Sequence, residues 1–141
     1  MRVRENQRAC RTARFTLIWE IPGYIMNSNA DPYQAMASVA DSTTCPGGQC
    51  ILNFPTVPAG KRLVITSVSA QIGTVANELI LEGNGVAFFV PKSDPNIGVL
   101  ASQVTVYFEA ETTPTARIFV GNSPQHTSLI VTLVGYLVPS S

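Results

Sequence analysis

Residues 58–72, PAGKRLVITSVSAQI, decide the fold class of this chain. Pro58 and Gly60 favour a turn, because proline fixes its own φ and glycine accepts positive φ. A β-branched run follows, and such side chains pack well on a pleated sheet. We therefore predict a strand that is buried on one face, partly covered on the other, and directed toward an exposed or shared edge. The two predicted faces are Val64, Thr66, Val68, Ala70 and Ile72 on one side and Leu63, Ile65, Ser67, Ser69 and Gln71 on the other.

The rest of the chain alternates short apolar runs with turn signals. Asn84-Gly85 between two apolar runs predicts a hairpin, because a type I′ turn needs two residues at positive φ. Residues 103–110 alternate, which places Tyr107 and Glu109 on the face opposite Val106 and Phe108. The predicted strands are residues 51–54, 61–72, 78–82, 86–90, 103–110, 116–120 and 128–138. Residues 33–39 alone are compatible with one or two helical turns.

About seven short strands with little helix predict an all-β fold. Parallel strands need crossover connections of a dozen or more residues, and the chain has no room for them. We expect a single antiparallel β-sandwich, jelly-roll or immunoglobulin-like, over residues 31–141, with a closed barrel as the second choice.

The zero net charge of the chain hides an asymmetry. Residues 1–19 hold five arginines against one glutamate, and residues 20–141 hold four basic side chains against eight carboxylates. The acidic body argues against nucleic-acid binding, which needs clustered lysine and arginine.

The first thirty residues have the order of a secretory leader: a basic start, the apolar stretch FTLIWEIPGYIM at 15–26, and Ser28-Asn29-Ala30. Glu20 and Pro22 interrupt the apolar stretch, which is too short to span a bilayer. Three interpretations remain open: a weak signal peptide cut after Ala30, a start site closer to Met26 and, least favoured, a folded role for the segment. The first predicts a secreted or periplasmic protein without an integral membrane segment.

The number of cysteines supports the separation of a leader, residues 1–30, from the rest of the chain. If Cys10 belongs to the leader, Cys45 and Cys50 remain, in Cys-Pro-Gly-Gly-Gln-Cys. This spacing suits a disulfide, which implies an oxidising compartment and stabilises by about 2 kcal/mol in the chain-entropy model. Two free buried thiols are the alternative. The sequence predicts neither a metal site nor a cofactor, because His126 is the one histidine and a zinc site needs four ligands.

Catalytic chemistry has little support in the sequence. His126 has no recognisable nucleophile motif beside Ser123 or Ser128. Glu109 and Glu111 would share a strand face, and Glu78 and Glu82 bracket a strand, but paired carboxylates of this kind are mostly solvated side chains. Ser93-Asp94-Pro95-Asn96 is read as a turn and not as a calcium loop. We expect that the protein is not an enzyme.

Two aromatic residues are the best candidates for binding. Sugar-binding sandwiches use an exposed aromatic platform with polar groups nearby, and Tyr107 and Tyr136 are the candidates here, with Phe119 as a weaker one. Each tyrosine is also explained as a cross-strand packing residue.

The chain resembles small, uncharacterised exported bacterial β-sandwich proteins. The resemblance lies in VPAGKRLVI at 57–65 with Val-Ser-Ala at 68–70, in Asp-Pro-Tyr-Gln at 31–34, and in the terminal Gly-Tyr-Leu-Val at 135–138. It covers roughly residues 31–138 and implies export and a sandwich, without a known activity.

The function expected from the sequence is that of a ligand- or surface-binding module, with carbohydrate as the first candidate ligand. The alternative is a structural subunit of a homo-oligomer, since a chain with 13% charged residues leaves surface for association. A hydrolase using Glu109 or His126 is the least favoured function.

Overall fold

The computed structural model describes residues 29–74, 77–92, 94, 96, 98–121 and 126–141. Within them, eight strands form two four-stranded antiparallel sheets, which confirms the predicted sandwich. The strands are β1 (Asp31–Val39), β2 (Gln49–Asn53), β3 (Lys61–Gln71), β4 (Glu78–Gly83), β5 (Val86–Phe89), β6 (Val99–Phe108), β7 (Thr115–Phe119) and β8 (Leu129–Pro139). Residues 1–28, which carry most of the predicted leader, lie outside the described residues. The described residues include no helix long and apolar enough to cross a membrane.

The strand order is β1-β8-β3-β6 in the first sheet, called sheet A, and β2-β7-β4-β5 in the second, called sheet B. The core lies between the sheets, and burial of each large apolar side chain there stabilises the fold by roughly 2 kcal/mol. β1 lies against β2 on one side of the sandwich. Fully buried side chains of the core include Leu63, Ile65, Val68, Leu81, Phe108, Ile118, Leu129 and Leu133.

The expected helical turns at residues 33–39 are wrong, because this segment is the edge strand β1. It pairs with β8 without a break, from Asp31 opposite Leu137 to Val39 opposite Leu129. Alanine, methionine and glutamine have good helix propensity, but pairing with β8 and burial of the alternate face override it.

The predicted faces of β3 are also wrong, because the strand contains a β-bulge. The register shifts between Ile65 and Ser67 against both neighbouring strands. Successive side chains of a strand point to opposite faces, so one extra residue turns every side chain after it to the other face. The core-facing residues are therefore Leu63 and Ile65 before the bulge and Val68, Ala70 and Ile72 after it. β3 is a central strand of sheet A, so the predicted run toward an edge is also wrong.

Other local predictions are confirmed. Asn84 and Gly85 have φ values of 44° and 80° and connect β4 to β5. In β6, Val106 and Phe108 are buried while Tyr107 is exposed. A disulfide joins Cys45, in the connection between β1 and β2, to Cys50 of β2, with Cα atoms 5.0 Å apart.

Candidate functional site

Tyr107 and Tyr136 lie in one cross-strand row on the outer face of sheet A. Val64 of β3 pairs with Tyr136 of β8 on one side and with Tyr107 of β6 on the other. The exposed fractions of Tyr107 and Tyr136 are 53% and 37%, whereas that of Val64 is 5%. The two tyrosines are two strand spacings apart, which is about 10 Å. We call the three residues the tyrosine row.

The local sequence explains how the row forms. Alternation in β6 turns Tyr107 outward, and the bulge in β3 begins only after Ile65, so Val64 keeps a regular register with both tyrosines. Gly135 precedes Tyr136 and lies against the backbone of Val64 and Ile65, where a Cβ atom would not fit. The glycine therefore lets β8 approach β3 closely beside the row.

The outer face of sheet A continues from the tyrosine row through three further rows, none of which contains a charged residue. These rows are Gln34, Val134, Ser67 and Gln103; Met36, Thr132, Ser69 and Ala101; and Ser38, Ile130, Gln71 and Val99. Seven of these twelve residues carry a hydroxyl or amide group, so the face can donate and accept hydrogen bonds although it has no charged side chain.

The charged residues at the start of β3 lie beyond the tyrosine row, Arg62 in the outer-face register of Val64 and Lys61, with its partner Asp31, in the register of the core-facing Leu63. Arg62 binds Glu109 through two contacts, Nη2 to Oε1 at 2.9 Å and Nε to Oε2 at 3.1 Å. Lys61 Nζ lies 3.1 Å from Asp31 Oδ2. All four side chains are partly exposed, so each pair stabilises the fold by about 1 kcal/mol or less. The basic residues at the start of β3 are thus neutralised within the sheet.

A cleft of about 290 Å³ opens beside the tyrosine row, between the edge strands β5 and β6. Its polar groups come from Asn84, Thr105 and Glu109, and Phe88 contributes an apolar wall. Tyr107 belongs both to the row and to the rim of this cleft. A ligand on the row can therefore extend into the cleft without leaving Tyr107.

The carboxylates considered for hydrolysis do not form a catalytic pair. β6 ends at Phe108, and Glu111 lies beyond it in a turn with φ of 66°. The two glutamates do not share one strand, and Arg62 occupies both carboxylate oxygens of Glu109. Glu82 is likewise bound, by Arg117.

His126 has a neighbour that the sequence did not reveal. Its Nδ1 lies 2.9 Å from Asp41 Oδ2 and 3.3 Å from Thr43 Oγ1, and its side chain is exposed. Both contacts use the same ring nitrogen, whereas a catalytic triad joins its carboxylate and nucleophile to different nitrogens. Ser123 lies outside the described residues, and Ser128 accepts a hydrogen bond from Gln71 Nε2.

The Asp41 carboxylate is strongly held. Hydrogen bonds from the Thr43 hydroxyl, from His126 and from the Thr43 backbone lower the pKa of Asp41 to about 2. Beside it, the Ser42 backbone N–H donates to the Thr127 carbonyl at 2.8 Å. These contacts tie the connection after β1 to the segment before β8, which is a structural role.

The outer face of sheet B offers a different surface. Arg117 lies at its centre, contacting Glu82 and Gln49, with its guanidinium 5.1 Å from the Phe119 ring centre. Phe119 is thus engaged by Arg117, which leaves Tyr107 and Tyr136 as the stronger binding candidates. Ile51 and Phe89, on the two edges of this face, are 60% and 62% exposed.

The candidate calcium segment is a turn where it is described, since the Asn96 N–H donates to Asp94 Oδ1 at 2.8 Å. No group of three metal-ligating side chains occurs among the described residues. No protein-family model, curated protein or solved structure matches the chain.

Proposed function

We propose that the protein is an exported binding module that holds a neutral carbohydrate on the outer face of sheet A. The observation that carries the proposal is the tyrosine row at the head of an uncharged face. A phenol ring presents an apolar face to the C–H surface of a sugar and a hydroxyl to its polar rim. The role is one of binding, without catalysis.

The chemistry around the row selects the ligand class. An acidic glycan would need a free arginine or lysine, yet Arg62 and Lys61 are both paired with carboxylates. A neutral sugar instead needs hydrogen-bond partners that act in both directions, such as Gln103 and Ser67 in the next row. Because Tyr107 belongs both to the tyrosine row and to the rim of the cleft, the site favours a chain of several sugar units with one end in the cleft.

Export is part of the proposal. The disulfide between Cys45 and Cys50 fits an oxidising compartment, because cytosolic thiols are kept reduced. The leader-like order of residues 1–30 supports the same location, secreted or periplasmic.

The experiment is a glycan array that includes neutral and acidic glycans, followed by calorimetry with the best soluble neutral oligosaccharide. We expect Tyr107→Ala and Tyr136→Ala each to weaken binding by roughly 10-fold, since loss of one stacked ring removes about 1 kcal/mol or more. Phe89→Ala is the matched control, because it removes an exposed ring from the other sheet. An array without hits, or tyrosine variants that bind like the wild type, would refute the proposal.

A second candidate function is that of a subunit in a homo-oligomer. Large apolar side chains are exposed on both sheets, including Met36, Ile51 and Phe89. A protein that stays monomeric in light scattering at high concentration would argue against this function.

A further inference from the structure

Among the residues that the structure describes, strand β1 is a long sheet edge without the usual protection. It pairs with β8 alone, over nine residues and without a bulge. Natural edges are mostly short or carry lysine, inward charges or bulges, which prevent pairing with another chain. The single charge of β1 is Asp31 at its first position, and Lys61 binds it. Pro32 blocks only the same end of the strand.

The other edges differ from β1. β2 and β5 have five and four residues. β6 is long, but its register shifts against β3, and Ser102 Oγ donates to the Pro91 carbonyl beside it. Of the four edges in the described part of the chain, β1 is therefore the one most open to an added strand.

We propose that two copies of this chain associate through β1, antiparallel, to form a continuous eight-stranded sheet around a two-fold axis at Met36. This register pairs residues 33–39 of each copy and leaves Pro32 outside the ladder, where its missing N–H costs nothing. Gln34 lies opposite Ser38 of the partner copy, and Ala35 lies opposite Ala37 of the partner copy. The seven paired residues, 33–39, carry no charged side chain.

Exposed apolar side chains on this side of the sandwich favour a second copy as the occupant. Met36, at 67%, is the most exposed large apolar residue of the described chain, and the proposed axis places it against its own copy. Ile51 lies on β2, the edge strand of sheet B that lies against β1. A two-fold contact would shield Met36 twice, once in each copy.

The size of the contact sets its strength. Seven paired residues span about 23 Å, and a two-layer sandwich is about 20 Å thick with its side chains, so the contact covers roughly 450 Å² per copy. Specific stable interfaces bury about 800 Å² per partner. We therefore expect a reversible dimer that forms with increasing concentration and not a permanent one. This inference does not depend on carbohydrate binding.

Cross-linking tests the register. In the full chain carrying Cys10→Ser, Met36→Cys should give a covalent dimer with an oxidant or a short bismaleimide, because residues on the axis face each other directly. Ala101→Cys is the matched control, since Ala101 is exposed in the same row of sheet A, on the opposite edge. Dimers with Met36→Cys alone support the proposal. Absence of dimers, or equal dimers with both variants, overturns it.

Sedimentation over a concentration series tests the association without cross-linking. Met36→Lys places two like charges against each other on the axis and should abolish the dimer, whereas Ala101→Lys should leave it unchanged. A wild type that stays monomeric at every concentration contradicts β1 pairing. Equal loss of the dimer in Met36→Lys and Ala101→Lys also contradicts it. Tyr107→Ala and Tyr136→Ala should keep the dimer, so failure of the carbohydrate proposal is distinguishable from failure of this one.

Discussion

Gly135 of β8 lies so close to the Val64 carbonyl of β3 that the position has no room for a side chain. The contact coincides with the bulge, where the partner of β8 shifts from Ile65 to Ser67. The glycine of the terminal Gly-Tyr-Leu-Val stretch is therefore required by a backbone approach in the middle of sheet A.

Gly135→Ala should lower the free energy of unfolding by about 2 kcal/mol, because the clash is with backbone and the central strands must move apart. Chemical denaturation measures the change. Val134→Ala is the control, since it alters the adjacent, solvent-facing residue and should cost less than about 1 kcal/mol. Equal stability of both variants would contradict the prediction, because it would mean that β8 and β3 move apart at Gly135 without a cost in free energy.

Asp41 should make stability depend on acid pH. Its pKa is lowered to about 2 in the folded protein, so it contributes stability above the ordinary pKa of about 4, and this contribution is lost as the pH falls toward 2. Asp41→Asn should flatten the stability profile between pH 4 and 2, as followed by denaturation at each pH.

Thr43→Val removes the largest cause of the shift and should flatten the same window. Thr44→Val is the matched control, because the Thr44 hydroxyl donates to the Asp41 backbone carbonyl at 2.7 Å and not to its carboxylate. An identical acid profile for Asp41→Asn and the wild type would contradict the prediction.

Tyr33 of β1 carries a buried hydroxyl without a hydrogen-bond partner among the described residues, and burial raises the pKa of that hydroxyl. Tyr33→Phe should therefore raise the free energy of unfolding by up to about 1 kcal/mol. Because a raised pKa means that stability falls as the pH rises above 10, the variant should also lose less stability in alkali. Reduced stability of Tyr33→Phe at neutral pH would show that the hydroxyl has a partner in solution.

Local sequence signals predicted much of the fold. The alternation in β6 correctly predicted that Tyr107 is exposed, and Asn84-Gly85 correctly predicted the β4–β5 turn. Both features depend only on neighbours within a few residues. The strand β1 was missed because its residues favour helix in isolation and become a strand only by pairing with β8.

The candidate site was predicted only in part. Tyr107 and Tyr136 could be chosen as exposed aromatics, but their alignment across Val64 depends on the register of three strands distant in sequence. The contact of His126 with Asp41 is equally long-range. The bulge could not be read from β-branched residues alone, because Thr66 is as typical of a regular strand as its neighbours.

The bulge in sheet A also means that β3 holds two apolar patterns that are out of phase. Between the rows of Ile65 and Ser67, β8 has no residue, β3 has Thr66, and β6 has Val104 and Thr105. Removing Thr66 would bring the two patterns into phase, whereas holding Thr66 in a regular ladder without the bulge would turn Val68, Ala70 and Ile72 toward water. The number of residues in β3, as much as their identity, encodes which side of the sheet becomes the protein's interior.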